Sequence, residues 1–136
     1  MVAPESWRHV VVNAPLRSVP RMLPEEVTVD RMRLEPRHEM TAGAAFWGRD
    51  AHRYRAVWTA GRWAGQGYVE VRPHSESASE VVVYLHAPKG LGRLVWSRGR
   101  LDRAAGGLAE ELRAHIDALS EEREKRAAPA RVRRSA

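Results

Sequence analysis

Cysteine is absent from this chain of 136 residues. Without a thiol there is no disulfide framework, no thiolate metal site and no cysteine nucleophile, and the absence fits a reducing compartment. Long apolar runs are also lacking, because no stretch approaches the roughly 18 apolar residues of a membrane-spanning helix. Glu5 and Arg8 stand where a signal peptide would have a continuous apolar core. These absences predict a cytoplasmic protein without a membrane span.

Signatures of metal and nucleotide binding are missing as well. The histidines never form the close pairs that place two imidazoles on one metal ion; they occupy positions 9, 38, 52, 74, 86 and 115. Gly90 and Gly92 lack the further glycines of a dinucleotide loop and the Lys-Ser/Thr of a phosphate loop. No serine lies in a strand-turn-helix nucleophile elbow. We therefore expect neither a metal nor a cofactor.

Acidic residues are lacking at the C-terminal end, where basic residues are frequent. Residues 125–136 contribute five basic side chains and no acid to a net charge of +6, which leaves residues 1–124 almost neutral. Blocks of like charge are usually disordered. We therefore predict a single domain over 1–124 and a disordered basic tail over 125–136. This distribution argues against a basic nucleic-acid groove on the domain; nucleic-acid or acidic-partner binding through the tail stays open as a weaker alternative.

What the chain does contain is a series of strand patterns. They are β-branched or alternating in hydrophobicity and are bounded by glycine, proline or polar turns, and they cover residues 7–13, 27–34, 43–48, 52–60, 68–71 and 80–87. The pattern of 27–34 changes face near Asp30 and Arg31, which indicates a bulge. Pro20 and Pro24 limit the segment 14–26 to one helical turn.

A helical pattern replaces the strand pattern after Pro88. Apolar residues recur mostly at intervals of three and four from Leu91 to Leu119, the period of one helix face. We expect this helix to end near Glu124. Gly99, Gly106 and Gly107 interrupt it, which suggests a kink or close packing on the sheet. The sequence thus predicts an α+β fold in which a curved antiparallel sheet of five to six strands is packed by one long C-terminal helix.

This order of elements resembles the START-like helix-grip superfamily, which includes polyketide cyclase/dehydrase-like and lipid-transfer proteins. The resemblance covers about residues 8–120 and is carried by four segments: HVVVNAP at 9–15, AGAAFWGR at 42–49, VVVYLHAP at 81–88 and the helical run 90–119. Such proteins have two short helices after the first strand, whereas here 14–26 is short and rich in proline. The resemblance therefore implies an abbreviated member with an open pocket or one closed by a partner, and a homodimer is an open alternative.

Aromatic side chains are concentrated on the strands. Large aromatic rings dominate the lining of small-molecule pockets, although they also fill cores. The resemblance implies a cavity between the sheet and the C-terminal helix, and we expect it to be lined by Trp47, Tyr54, Trp58, Tyr68, Tyr84 and Trp96. The predicted function is therefore binding of a small hydrophobic molecule, a lipid or a polyketide-like compound.

An enzymatic role is the alternative. In a cyclase- or dehydratase-like member, His86, Glu70 or Tyr68 would move a proton on the bound ligand, since general acid-base catalysis needs a titratable group within hydrogen-bond reach. No residue spacing demands this chemistry, so simple binding is favoured over catalysis. The sequence does not identify the ligand.

Overall fold

The computed structural model describes residues 5–36, 51–58, 66–87 and 97–135. Its helices and strands follow in the order β1 (Glu5–Val12), α1 (Val19–Met22), a 3-10 turn (Val29–Arg31), β2 (Met32–Pro36), β3 (His52–Trp58), β4 (Gln66–Pro73), β5 (Ser79–His86) and α2 (Arg98–Ser135). The strand predicted at 43–48 and the aromatic residues Trp47 and Trp96 lie outside the described residues.

The strands form a single antiparallel sheet in the order β1-β5-β4-β3-β2. Strands β2 to β5 pair with their neighbours in sequence, as a meander does, and β1 adds to the free side of β5. In β5 every second residue is fully buried, from Ser79 to Leu85, and the residues between them are half-buried. This alternation gives the sheet an inner face and an outer face.

The core lies between the inner face and α2. Val69, Val83 and Leu85 of the sheet are inaccessible to solvent. On α2 the inaccessible side chains recur at helical spacing, at Leu101, Leu108, Leu112 and Ile116. The predicted α+β fold, an antiparallel sheet with a long C-terminal helix, is thus confirmed, with five strands among the described residues.

Helix α2 differs from the prediction at its C-terminal end. It continues to Ser135, past Glu124, where the sequence predicted its end. The added segment is rich in alanine, arginine and lysine, which have high helix propensity. Because extending an existing helix is far easier than nucleating one, these residues continue α2 without an apolar face of their own.

One glycine of α2 is explained by close packing. A Cβ atom at Gly107 would lie 3.3 Å from Cγ2 of Val29, in the 3-10 turn before β2. On the next turn of α2, the Glu111 carboxylate accepts hydrogen bonds from the backbone N–H and the hydroxyl of Thr28. The turn is therefore fastened against the helix.

The segment between β1 and β2 agrees with the prediction in two respects. Helix α1 is a single turn of four residues. The expected irregularity near Asp30 and Arg31 is a 3-10 turn, in which both residues have left-handed φ angles, 49° and 51°. The regular strand therefore begins only at Met32, later than the predicted Val27.

Candidate functional site

The predicted site residues do not lie together, because they divide between the two faces of the sheet. Tyr54 belongs to the inner face, where its neighbour Ala56 is fully buried. Tyr68 pairs with Tyr84 across β4 and β5, and both lie on the outer face, which does not contact α2. Glu70 and His86 share the parity of these tyrosines and therefore the same face. Tyr68, Glu70, Tyr84 and His86 therefore lie on the face away from the C-terminal helix, and their part in ligand binding stays a prediction.

Tyr54 is a predicted pocket residue of the inner face, and it lines a cavity of about 540 Å³. Its walls come from the proline-rich segment around α1 and from β2, with Leu23 and Leu34 as its aliphatic residues. The segment that was expected to leave the pocket open therefore forms a wall of it. Four exposed charged residues complete the lining, namely Arg21, Glu25, Arg33 and Glu35. Trp58 is placed by its backbone alone, opposite Met32 in the β2–β3 register.

Tyr54 itself is an unusual lining residue. Its side chain is only 8% exposed, and burial raises the pKa of its phenol above the ordinary value. Within residues 5–36, 51–58, 66–87 and 97–135 its hydroxyl has no hydrogen-bond partner. Because Tyr54 lines the cavity, its hydroxyl is a polar group with which a bound molecule can form a hydrogen bond.

Where the described residues lie beneath α2, aliphatic side chains pack against the helix. Val71 and Val81 on the inner face have no solvent exposure, and neither do Leu108 and Leu112 on the helix. These residues belong to one continuous hydrophobic cluster. The described cavity therefore lies toward the β2 edge of the sheet. The sequence had led us to expect a cavity between the sheet and the C-terminal helix.

A second concave region lies on the outer face. This groove, of about 270 Å³, is formed by the aromatic residues Trp7, Tyr68 and Tyr84, by Val82 and by the charged residues Arg53, Glu70 and Arg72. The Trp7 and Tyr84 rings lie 4.2 Å apart between centroids. The sequence did not assign Trp7 to a site. Trp7 lies in the groove because it pairs with Tyr84 across β1 and β5. Residue spacing along the chain does not reveal this pairing.

The catalytic candidates are only partly brought together. Tyr68 and Glu70 line the same groove, while His86 lies beside it, its ring 5.5 Å from that of Tyr84. Both carboxylate oxygens of Glu70 accept hydrogen bonds from guanidinium groups, Oε1 from Arg72 at 3.1 Å and Oε2 from Arg53 at 3.3 Å. The hydrogen bond to Glu70 also raises the pKa of Arg72. Glu70 is thus held in a structural ion pair, and a catalytic role for Tyr68, Glu70 or His86 stays a prediction.

Tyr84 is the most strongly perturbed group on the outer face. Its hydroxyl donates a hydrogen bond of 2.9 Å to the carboxylate of Glu5. Burial, followed by this hydrogen bond, raises the pKa of Tyr84 to about 12. The phenol therefore stays neutral over the physiological range.

Two further features concern the described part of the chain alone. Its His, Asp and Glu side chains form no group of three that could hold a metal ion. None of its helices combines the length and the apolar character needed to cross a membrane.

Sequence comparison gives no family for this chain: no family model and no curated protein matches it. The structure is similar to a START superfamily protein from Mycobacterium smegmatis, with 12% identity over 87% of this chain and 97% of that one and a TM-score of 0.43.

Two further solved structures show weaker likeness. The di-domain ARO/CYC StfQ from the steffimycin biosynthetic pathway is 17% identical, with a TM-score of 0.36 and coverage of 87% of this chain and 47% of that one. A point mutant of Thalictrum flavum norcoclaurine synthase is 10% identical, with a TM-score of 0.32 and coverage of 89% and 97%. Structural likeness this weak carries no information about function. The described elements, an antiparallel sheet packed along its inner face by a long C-terminal helix, have the helix-grip arrangement that the START-like resemblance implied.

Proposed function

We propose that this protein binds a small, mostly hydrophobic molecule in the cavity beside Tyr54, through apolar contacts and one polar contact. The observation that carries the proposal is the cavity at Tyr54, a buried residue whose hydroxyl has no partner among the described residues. The volume of about 540 Å³ falls within the range of about 300–1,000 Å³ that is typical of small-molecule sites.

The lining suggests how such a ligand would be oriented. Leu23 and Leu34 would contact its apolar body, and burial of that surface stabilises the complex by roughly 25 cal/mol per Å². The phenol of Tyr54 would donate a hydrogen bond to an oxygen or nitrogen of the ligand. The charged residues of the lining are exposed and remain hydrated at the rim. A lipid or a polyketide-like molecule with one carbonyl or hydroxyl group fits these requirements.

Titration with a fluorescent hydrophobic probe, an anilinonaphthalene sulfonate, tests the cavity. We expect saturable probe binding by the parent protein. Leu23→Trp, which fills the cavity, should weaken it by at least about tenfold, a change of about 1.4 kcal/mol. The matched control is Leu119→Trp, because Leu119 is also a half-buried leucine packed on the core but does not line the cavity.

The outcomes separate clearly. If the probe does not saturate, or if it binds Leu23→Trp as tightly as Leu119→Trp, the Tyr54 cavity is not the binding site. Native mass spectrometry of the purified protein adds an independent measurement, since a ligand carried through purification appears as added mass that Leu23→Trp should lose.

A further inference from the structure

The free edge of the sheet at β1 carries the exposed apolar residues of the described chain. Trp7 is 55% and Val11 44% exposed, and both belong to β1. This strand is the outermost of the sheet, and no other described strand pairs with its free side. An exposed edge with apolar side chains is a template for pairing with another strand.

The backbone at this edge has a defined pattern. The carbonyl oxygen of Trp7 accepts a hydrogen bond from the Arg8 guanidinium, so it points away from β5. In an antiparallel strand the N–H and C=O of one residue point to the same side, and successive residues alternate. Trp7, His9 and Val11 therefore direct their backbone groups to the free edge and their side chains to the outer face.

We propose that a second copy of this chain pairs with β1 antiparallel, about a two-fold axis at His9. In this register Trp7 of each copy lies opposite Val11 of the other, and His9 lies opposite His9. The residues that face each other are those whose backbone groups point to the free edge, so each matched pair exchanges hydrogen bonds. The interface is isologous and closes after two copies.

Two neighbouring registers satisfy the edge less well. A two-fold axis at Arg8 would place the two Arg8 side chains opposite each other, and like charges in that position are destabilising. An axis at Trp7 would leave Val11 beyond the paired segment. With the axis at His9, Arg8 lies opposite Val10 and Glu5 opposite Asn13, so no fixed like charges face each other and both exposed apolar residues are covered.

The expected strength follows from the size of the contact. A single strand of eight residues on each side buries less than the roughly 1,200 Å² of total surface that marks the lower end of stable interfaces. The dimer should therefore be weak and dependent on concentration. The Arg8 guanidinium, which contacts the Trp7 carbonyl in the single chain, would have to move aside.

Sedimentation equilibrium of the full chain tests association. The average mass should rise with concentration from 15.4 kDa toward twice that value. Val11→Lys should weaken dimerisation by at least about tenfold, since the apolar contact with Trp7 of the other copy would be lost and a lysine on an edge strand opposes pairing with another strand. Ala118→Lys adds the same charge at an exposed position of α2 and should leave dimerisation unchanged. A constant monomer mass up to roughly 1 mM, the weakest affinity worth considering, would overturn the proposal.

Thiol cross-linking tests the register, because the chain contains no cysteine of its own. With His9→Cys the two thiols should lie on strands whose Cα atoms are about 5.5 Å apart, and a short bifunctional thiol reagent should link them rapidly. Glu5→Cys is the control on the same strand and face, since the two copies of residue 5 would be separated by about 27 Å. Equal cross-linking of both variants would show that any dimer forms elsewhere.

Discussion

At the scale of single residues, the outer face is organised around Tyr84. Its ring packs on Trp7 and its hydroxyl is bonded to Glu5, so two residues of β1 hold one residue of β5. Burial favours the neutral phenol, and so does the hydrogen bond to Glu5, because ionisation would place a phenolate beside a carboxylate. The pKa of Tyr84 is accordingly raised, and this shift links stability to alkaline pH.

The prediction for Tyr84 concerns the range between pH 10 and 12. Because the pKa rises from 10.0 in the unfolded chain to about 12 in the folded one, the stabilisation is fully present below the lower value and is lost as the pH rises through the upper one. The free energy of unfolding, measured by denaturant titration, should fall over this range. The fall should be smaller in Tyr84→Phe than in the parent protein.

The control for Tyr84→Phe is the same substitution at Tyr68, the neighbouring tyrosine on the outer face. Tyr68→Phe removes the cross-strand partner of Tyr84 while leaving Glu5 and Trp7 in place, and it should keep most of the alkaline loss. Phenolate absorbance provides a second measurement, in which Tyr84→Phe should remove a transition near pH 12. An alkaline profile of Tyr84→Phe identical to that of the parent protein would contradict the assignment.

At the scale of elements, α2 holds the sheet from its inner side. It covers the inner face and is also tied to the chain at its sides. Ser6 donates a hydrogen bond of 2.6 Å to Asp102, and the backbone N–H of Asn13 donates one of 2.9 Å to Asp117. These bonds align α2 along β1, while Glu111 holds the 3-10 turn on the opposite side of the helix.

Truncation of the buried stripe of α2 should destabilise the domain. Leu112→Ala and Ile116→Ala each remove a side chain without solvent exposure, and we expect each to lower the free energy of unfolding by about 2–5 kcal/mol. The control is His115→Ala, an exposed neighbour on the same helix, which should stay within about 0.5 kcal/mol. Losses below that limit at Leu112 and Ile116 would mean that the packing of α2 is misassigned.

At the scale of the whole molecule, charge is distributed unevenly. The basic excess lies in residues 125–136, whose backbone continues α2 up to Ser135. A helix with clustered cations is a better contact for phosphate groups than a disordered tail with the same charges, because less backbone entropy is lost on binding. Nucleic-acid binding through this segment remains the weaker functional alternative.

Deletion of residues 125–136 tests this alternative. If the segment binds nucleic acid, the parent protein should bind a duplex with an affinity that falls steeply as salt increases, and the truncated protein should lose that binding. Probe binding at the Tyr54 cavity should be unaffected, since the cavity lies among residues 20–54. Salt-dependent binding that persists after truncation would exclude the segment as the contact.

The sequence alone determined the class of fold. Alternation in residues such as Val81 to Leu85, and three-four spacing from Leu101 to Ile116, reflect burial on one face of a strand or helix. Such periodicity is a local property and can be read without knowing which elements meet. The single turn at α1 and the irregular backbone at Asp30 followed equally from local chemistry, that of proline and of a change in strand face.

Only the tertiary structure decided which aromatic residues share a site. Alternation along β3 and β4 assigns Tyr54 and Tyr68 each to one face of its own strand. Strand order and register decide whether the two residues share a face of the sheet, and here they lie on opposite faces. In the same way, the pairing of Trp7 with Tyr84 and the free edge of β1 depend on β1 joining β5, far along the chain. Contacts between distant segments are set by packing of the whole core, which no local pattern encodes.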